Sequence, residues 1–387
     1  MRTKLKSPNA INTNISGSPQ KEVTVGSFFY RLYQGKFWAL SFASIALLAL
    51  AACGGPPASE SPTAATTENR PSGVAQASEP GRLTIYSGRS ESLVDPVIQQ
   101  FASVSGIDVQ VKYAGTPQLA ATLLEEGPNS PADLFFAQDP GGLGAVEHML
   151  APLPEDILAK VPEWARSPEG KWVGISGRAR TVVYNPTRLT EADLPDDVFG
   201  FTDPRWRGRI GWAPTNASFQ TMVTGMRAVW GEEKTRQWLE GVQANEPRVY
   251  SNNTSQVAAA AAGEIDAGLV NHYYLFRFLA EEGEDFPARN YHPRAGGPGA
   301  MIMVAGAGIL STSRNPENAQ KFLDFLISTV GQQYFSGQTY EYPLVEGVQT
   351  HRFLVSLDQI SNPGIPLKDL ADLEGTQVLL RETGILP

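Results

Sequence analysis

From Leu83 onward, short apolar runs alternate with stretches whose apolar residues recur every three to four positions, and that alternation admits few architectures. Leu83, Thr84, Ile85 and Tyr86 read as a strand. Leu93, Val97, Phe101 and Val104 then share a helical face, which Gly106 ends. Ile107, Val109, Val111 and Tyr113 alternate as a second strand, residues 117–126 read as a helix, and Ala132, Asp133, Leu134, Phe135 and Phe136 form a short, mainly apolar strand. Strand, helix, strand, helix, strand at these lengths means βαβ units and a mostly parallel sheet.

The pattern continues to the C-terminal end. Residues 172–176 and 180–184 read as two adjacent strands, and 219–230 and 234–239 as helices. The run 254–262 is helical by propensity, with Gly263 closing it. Residues 267–271 form a strand, 273–280 a helix and 301–305 another strand. Asn315, Pro316 and Glu317 then open an amphipathic helix that turns Phe322, Phe325, Leu326 and Val330 inward. The class is α/β throughout.

The N-terminal region follows other rules. Residues 37–52 carry no charge, follow Arg31 and Lys36, and are too short for a comfortable span of about 20 residues, so they read as the apolar part of a signal peptide. Cys53 is the single cysteine of the 387 residues, which rules out an internal disulfide and a multi-cysteine metal site. Leu50-Ala51-Ala52-Cys53-Gly54 looks like a bacterial lipobox, with lipidation on Cys53 and cleavage before it. Residues 54–81 are rich in Pro, Ser, Ala, Thr and Gly, bury too little to fold, and suit a flexible tether. The expected order is a signal peptide at 1–52, a lipid-anchored linker at 53–81, and the folded part after it. Six Lys or Arg against one Glu in the first 52 residues leave a charge of −14 on the remainder, which argues against nucleic acid as a partner.

In open α/β sheets, ligands sit beyond the carboxyl ends of strands. Four loops qualify: residues 87–90, 137–139, 214–218 and 271–274. Tyr86-Ser87-Gly88-Arg89-Ser90, Pro131-Ala132-Asp133-Leu134-Phe135, Ser176-Gly177-Arg178-Ala179-Arg180, Trp206-Arg207-Gly208-Arg209-Ile210-Gly211, Asn271-His272-Tyr273-Tyr274 and Tyr342-Pro343-Leu344 occur in the order found in another set of proteins. Through these segments the chain resembles the bacterial periplasmic ferric-ion-binding proteins, the transferrin-like carriers that serve ABC iron importers. The resemblance runs from about Leu83 to the end of the chain.

It implies a two-lobed periplasmic-binding-protein clamp, each lobe a mixed, mostly parallel sheet flanked by helices. Residues 82–177 plus 303–354 would form one lobe, and 178–302 plus 355–387 the other. The implied protein is no enzyme. It is an extracytoplasmic, monomeric lipoprotein that binds ferric iron between its lobes and passes it to an importer permease, with the membrane surface as its second partner. Tyr273 and Tyr274 match the family's two iron-binding tyrosinates. Ferric ion is a hard cation that favours oxygen donors, and coordination turns a phenol of ordinary pKa near 10 into an anion at neutral pH. Consecutive side chains point about 100° apart along a helix, so the pair reaches one ion only at a helix start, where it lies.

The family's histidine position falls on Ser90 and its glutamate position on Gln138, so the chain departs from the pattern at both. A synergistic anion (carbonate, phosphate or citrate) is the implied replacement. Its matching residues are Asn216, Ala217 and Ser218 at a helix start, joined by Asn253, Asn271 and Arg178. Asn253 and Asn271 equally suit ordinary turns, and Arg178 equally suits a structural ion pair. His148, His272, His292 and His351 show no metal-ligand spacing and read as structural. Two other readings stay open. One is a binding protein of the same class for a ferric chelate or another small ion or oxyanion. The other is an enzyme on the same scaffold, although thiamine-degrading relatives of the fold need a cleft cysteine that this chain lacks.

Overall fold

A computed structural model of the protein describes residues 81–387. The signal-peptide region, Cys53 and the tether up to residue 80 lie outside the described residues. Along the chain run β1 (Arg82–Ser87), α1 (Glu91–Ser105), β2 (Asp108–Tyr113), α2 (Thr116–Glu126), β3 (Leu134–Ala137), α3 (Pro140–Val146), α4 (Glu155–Leu158) and β4 (Val173–Tyr184). They are followed by β5 (Ile210–Trp212), α5 (Ala217–Trp230), α6 (Glu232–Ala244), β6 (Arg248–Val249), α7 (Asn253–Ala261), β7 (Ala267–Asn271) and α8 (Tyr273–Glu282). The chain closes with β8 (Arg289–Tyr291), β9 (Ile302–Ile309), α9 (Pro316–Leu326), α10 (Thr329–Gly337) and α11 (Leu373–Glu382).

The strands run in the order β2-β1-β3-β9-β4-β7-β5-β6, with β8 also on β4. β1 pairs in parallel with β2 and β3, and β5 in parallel with β6 and β7, as βαβ units require. β9 and β4 join these groups by antiparallel pairing. The sheet is therefore mixed, with helices flanking it, as the sequence implies.

Residues 172–184 differ from the two strands expected there. β4 is one strand, and all twelve of its residues are buried. Its first part, through Ala179, pairs with β9, and its last part, from Arg180, pairs with β7 and β8. The expected gap at residues 177–179 is paired with β9 throughout, and an irregularity in register lies just before it, between Gly174 and Ser176. Gly177 is held further by a reciprocal pair of backbone hydrogen bonds with Tyr342 at 2.7 and 2.9 Å.

Two apolar residues expected inside lie outside. The buried stripe of α1 stops at Phe101, whose ring packs on Phe322 and Phe325 at 5.0 and 5.5 Å. Val104 lies a turn beyond those rings and is 70% exposed. Val330 is 49% exposed because the helix expected to carry it ends at Leu326. Ser328 caps a new helix by accepting a hydrogen bond from Gly331 N, and this re-aims the chain.

Candidate functional site

β7 is fully buried and delivers Asn271 at its end. After it the backbone turns helical at His272, and α8 begins with Tyr273 and Tyr274. Their rings stack at 4.2 Å between centroids, with 29° between planes, so the neighbours face the same way, as the helix start allows. Both are buried, and the Tyr273 hydroxyl has no hydrogen-bond partner. Burial, then the neighbouring Tyr273 hydroxyl, push the Tyr274 pKa well above 10, while Arg89 and Arg178 oppose the shift. His272 is held structurally: its Nδ1 accepts from Ala179 N at 3.1 Å and its Nε2 lies 2.9 Å from Tyr340 O.

Three buried arginines surround the pair. Arg89, in the loop after β1, forms a bidentate bond to Glu341 at 3.0 and 2.5 Å, and its guanidinium lies 6.0 Å from the Tyr273 ring centre. Ser176 also donates to Glu341, at 2.5 Å. Burial alone would raise the Glu341 pKa, but Arg89 overrides it and the carboxyl is held below its usual range.

Arg178 and Arg180 have no carboxylate within ion-pair distance. β4 sends them to the same face, two residues apart. Arg178 donates once, to Val304 O at 3.1 Å, and its Nε and Nη1 have no partner. Arg180 donates through Nη1 to Asn271 Oδ1 at 3.0 Å, with Ser218 and Asn253 at 3.4 and 3.5 Å, and its Nε and Nη2 have none. Burial and the charge of Arg178 push the Arg180 pKa down to about 9. Two buried cations without a direct ion-pair partner are costly, and their free donors suit an anion brought from outside.

The expected anion turn is a connected set of donors. Asn216 caps α5, its Oδ1 accepting from Ser218 N at 3.1 Å and from Ser218 Oγ at 2.6 Å. Asn253 Nδ2 reaches Asn216 and Ser218 at 3.2 and 3.4 Å, and Asn253 Oδ1 accepts from Asn271 N at 3.0 Å. Gln138 donates to Ser218 Oγ at 3.3 Å, and Asn271 Nδ2 has no partner. In front of this set is a cavity of about 420 Å³ lined by Thr116, Gln118, Gln138, Asn216, Ala217 and Gln220 among others.

The structure thus brings together Tyr273, Tyr274, Arg178, Gln138, Asn216, Ala217, Ser218, Asn253 and Asn271. Ser90 is exposed at the start of α1 and does not line the cavity. Arg89, Glu341 and Arg180 are the neighbours of the tyrosine pair that reading the sequence did not single out. Arg180 had a signal, since it stands two residues after Arg178 in an apolar strand. Glu341 had none, lying 252 residues from Arg89. Among the described residues no group of three or more His, Cys, Asp or Glu is arranged to hold a metal, so an ion here would rely on phenolate and exogenous oxygen.

Buried arginines without an ion-pair partner on the central strand, and a polar cavity lined by the Asn216 turn, are features of a protein that takes a solute. Residues 129–355 match the family model described as bacterial extracellular solute-binding protein, and the chain belongs to that family. Its curated relatives are solute-binding transport proteins, not enzymes. The Fe(3+)-binding periplasmic protein of Serratia marcescens is 31% identical over 320 residues, covering 81% of this chain and 94% of the relative. The major ferric iron-binding protein of Neisseria meningitidis serogroup A is 33% identical over 315 residues, covering 78% and 93%. Iron-bound HitA of Pseudomonas aeruginosa superposes with a TM-score of 0.76 at 32% identity, covering 79% of this chain and all of that one. A Trichodesmium protein solved with iron and citrate superposes at 0.66 with 28% identity over 79% of this chain and all of its own. The resemblance to ferric-binding proteins, first drawn from six short segments, is borne out along the folded part.

Proposed function

We propose that the protein is the extracytoplasmic binding component of an ABC importer, that it takes ferric iron on Tyr273 and Tyr274 together with an anion, and that it passes the iron to the permease. The observation that carries this is the stacked, buried tyrosine pair beside Arg178 and Arg180, each of which keeps two guanidinium nitrogens without a partner. Fe(III) on two tyrosinates keeps one positive charge, and two more reside on the arginines. A carbonate, phosphate or citrate ion held by Asn216, Ala217, Ser218, Asn253, Asn271, Arg178 and Arg180 offsets that excess and supplies the oxygen donors that Ser90 and Gln138 do not. The cavity of about 420 Å³ also favours a second reading, in which the iron arrives as a small chelate; the relative solved with iron and citrate is consistent with it.

In this reading the lobes are residues 82–177 plus 303–354 and 178–302 plus 355–387, hinged where β4 and β9 pass between them. The protein acts as a monomer, with lipid on Cys53 holding it at the outer face of a membrane.

The test is an optical titration of the metal-stripped folded part with Fe(III), with and without bicarbonate, citrate or phosphate. A visible tyrosinate-to-iron band is expected, absent in Tyr273→Phe and Tyr274→Phe. Because Tyr274 is protonated well past neutral pH, iron must displace its proton. That proton alone weakens binding about tenfold per pH unit of acidification. No band under any condition, or a band that survives in both variants, sinks the proposal.

A further inference from the structure

We infer that the cavity between the first turns of α2 and α5 binds a small polycarboxylate, with one carboxylate at each helix start. The inference rests on the reading above in taking the α5 turn as an anion site, and it adds α2, which that reading does not use.

Both helices follow strands of parallel pairs: β2 ends at Tyr113 and α2 begins at Thr116, while β5 ends at Trp212 and α5 begins at Ala217. Gly115, Thr116 and Gln118 from the one start, and Thr215, Asn216 and Ala217 from the other, line the same cavity. Gly115 stands at the cap position of α2, so no side chain caps that helix, and the amides of Thr116 and Gln118 find no acceptor among the described residues. On α5 the Asn216 side chain takes up Ser218 N, and the Ala217 amide is left over. The positive ends of helices of 11 and 14 residues therefore open on one polar space.

Gln138 lines that space as well and is only 6% exposed. Its Nε2 uses one of two hydrogens, on Ser218 Oγ at 3.3 Å, and its Oε1 takes no hydrogen bond. Thr116, 1% exposed, accepts from Gln138 N at 2.9 Å and gives its own hydroxyl hydrogen to no acceptor. Donors are thus unspent at both helix starts and on two nearly buried side chains at the same place, which is costly unless a ligand takes them. No acidic side chain lines the cavity to repel an anion, and no basic one is there to hold a compact anion at a single point. One helix start holds a negative group weakly; two starts favour a ligand that brings a group for each, since the second then binds within an existing complex. A volume of about 420 Å³ lies at the lower end of the range of about 300–1,000 Å³ for small-molecule sites, and it accommodates a short tricarboxylate. Such a ligand also ties the β1-β2-β3 group, which carries α2, to the β5-β6-β7 group, which carries α5.

The test is calorimetric titration of the metal-free protein at neutral pH with tricarballylate, with acetate as the single-carboxylate probe and glycerol as the neutral one. Tricarballylate is expected to bind at a concentration about tenfold or more below acetate, and glycerol not at all. Gln118 is exposed in the first turn of α2, so it can be changed without touching the core. Gln118→Glu is expected to weaken tricarballylate about tenfold and Gln118→Lys to tighten it about threefold. A negative charge in the first turn favours the helix itself, so a loss in Gln118→Glu cannot come from unfolding α2. Tricarballylate no tighter than acetate or glycerol, or an affinity within a factor of about two of wild type in both Gln118 variants, overturns the inference. The titration involves no iron, and Tyr273→Phe is expected to leave it unchanged. Loss of the tyrosinate band would therefore sink the iron reading alone, and loss of the Gln118 response would sink this inference alone.

Discussion

Replacing Glu341 by Gln should be among the most damaging isosteric changes in this protein. Arg89 and Glu341 are both fully buried in their side chains, and the pair is bidentate with a further bond from Ser176. The glutamine fills the same space and leaves the Arg89 charge without compensation. Breaking a buried pair from one side costs about 3–5 kcal/mol, and with no solvent exposure there is no screening to discount. For a folded part of this size that corresponds to a fall in melting temperature of roughly 5–8 °C. The pH dependence follows from the sign of the shift. The Glu341 pKa is depressed, so its stabilisation is fully present above the ordinary glutamate value of 4.5 and is lost as pH falls through the lowered one. Wild type and variant should therefore differ by the full amount at neutral pH and converge only as pH falls through the lowered Glu341 value. Thermal unfolding across pH gives the reading, and Arg89→Met combined with Glu341→Met closes a double-mutant cycle. A loss below about 2 °C at neutral pH, or additive single effects, would refute this account of the pair.

Arg180→Met should cost the metal-free protein less than about 2 kcal/mol despite complete burial, because it also removes an uncompensated charge, while anion-dependent iron binding falls tenfold or more; denaturant melts and the optical titration separate the effects. Gly331→Ala places a methyl against the carbonyl oxygens of Phe325 and Leu326, so it should destabilise by about 1–3 kcal/mol where an ordinary helical Gly→Ala change would stabilise, and a melting curve gives the sign.

Local chemistry made much of this legible. β7 covers the expected residues 267–271, and α8 opens on Tyr273 as expected, because apolar periodicity and chain reversal are both encoded within a few residues. Asn216 and Ser218 were visible as a helix-capping turn for the same reason. What stayed hidden depends on long-range pairing. Residues 177–179 look like a gap between strands until β9 is seen along them and Tyr342 against Gly177. Arg89 reads as a loop residue until Glu341 arrives from near the other end of the chain.

The continuity of β4 also bears on how the molecule can deform. A loop between two bodies swivels about single bonds and gives wide, loosely directed excursions. A hydrogen-bonded strand flexes as a leaf spring does, over several residues, with one preferred direction and a restoring force. Arg178 and Arg180 ride at the middle of that spring, so the strand's own repeat sets the distance between them.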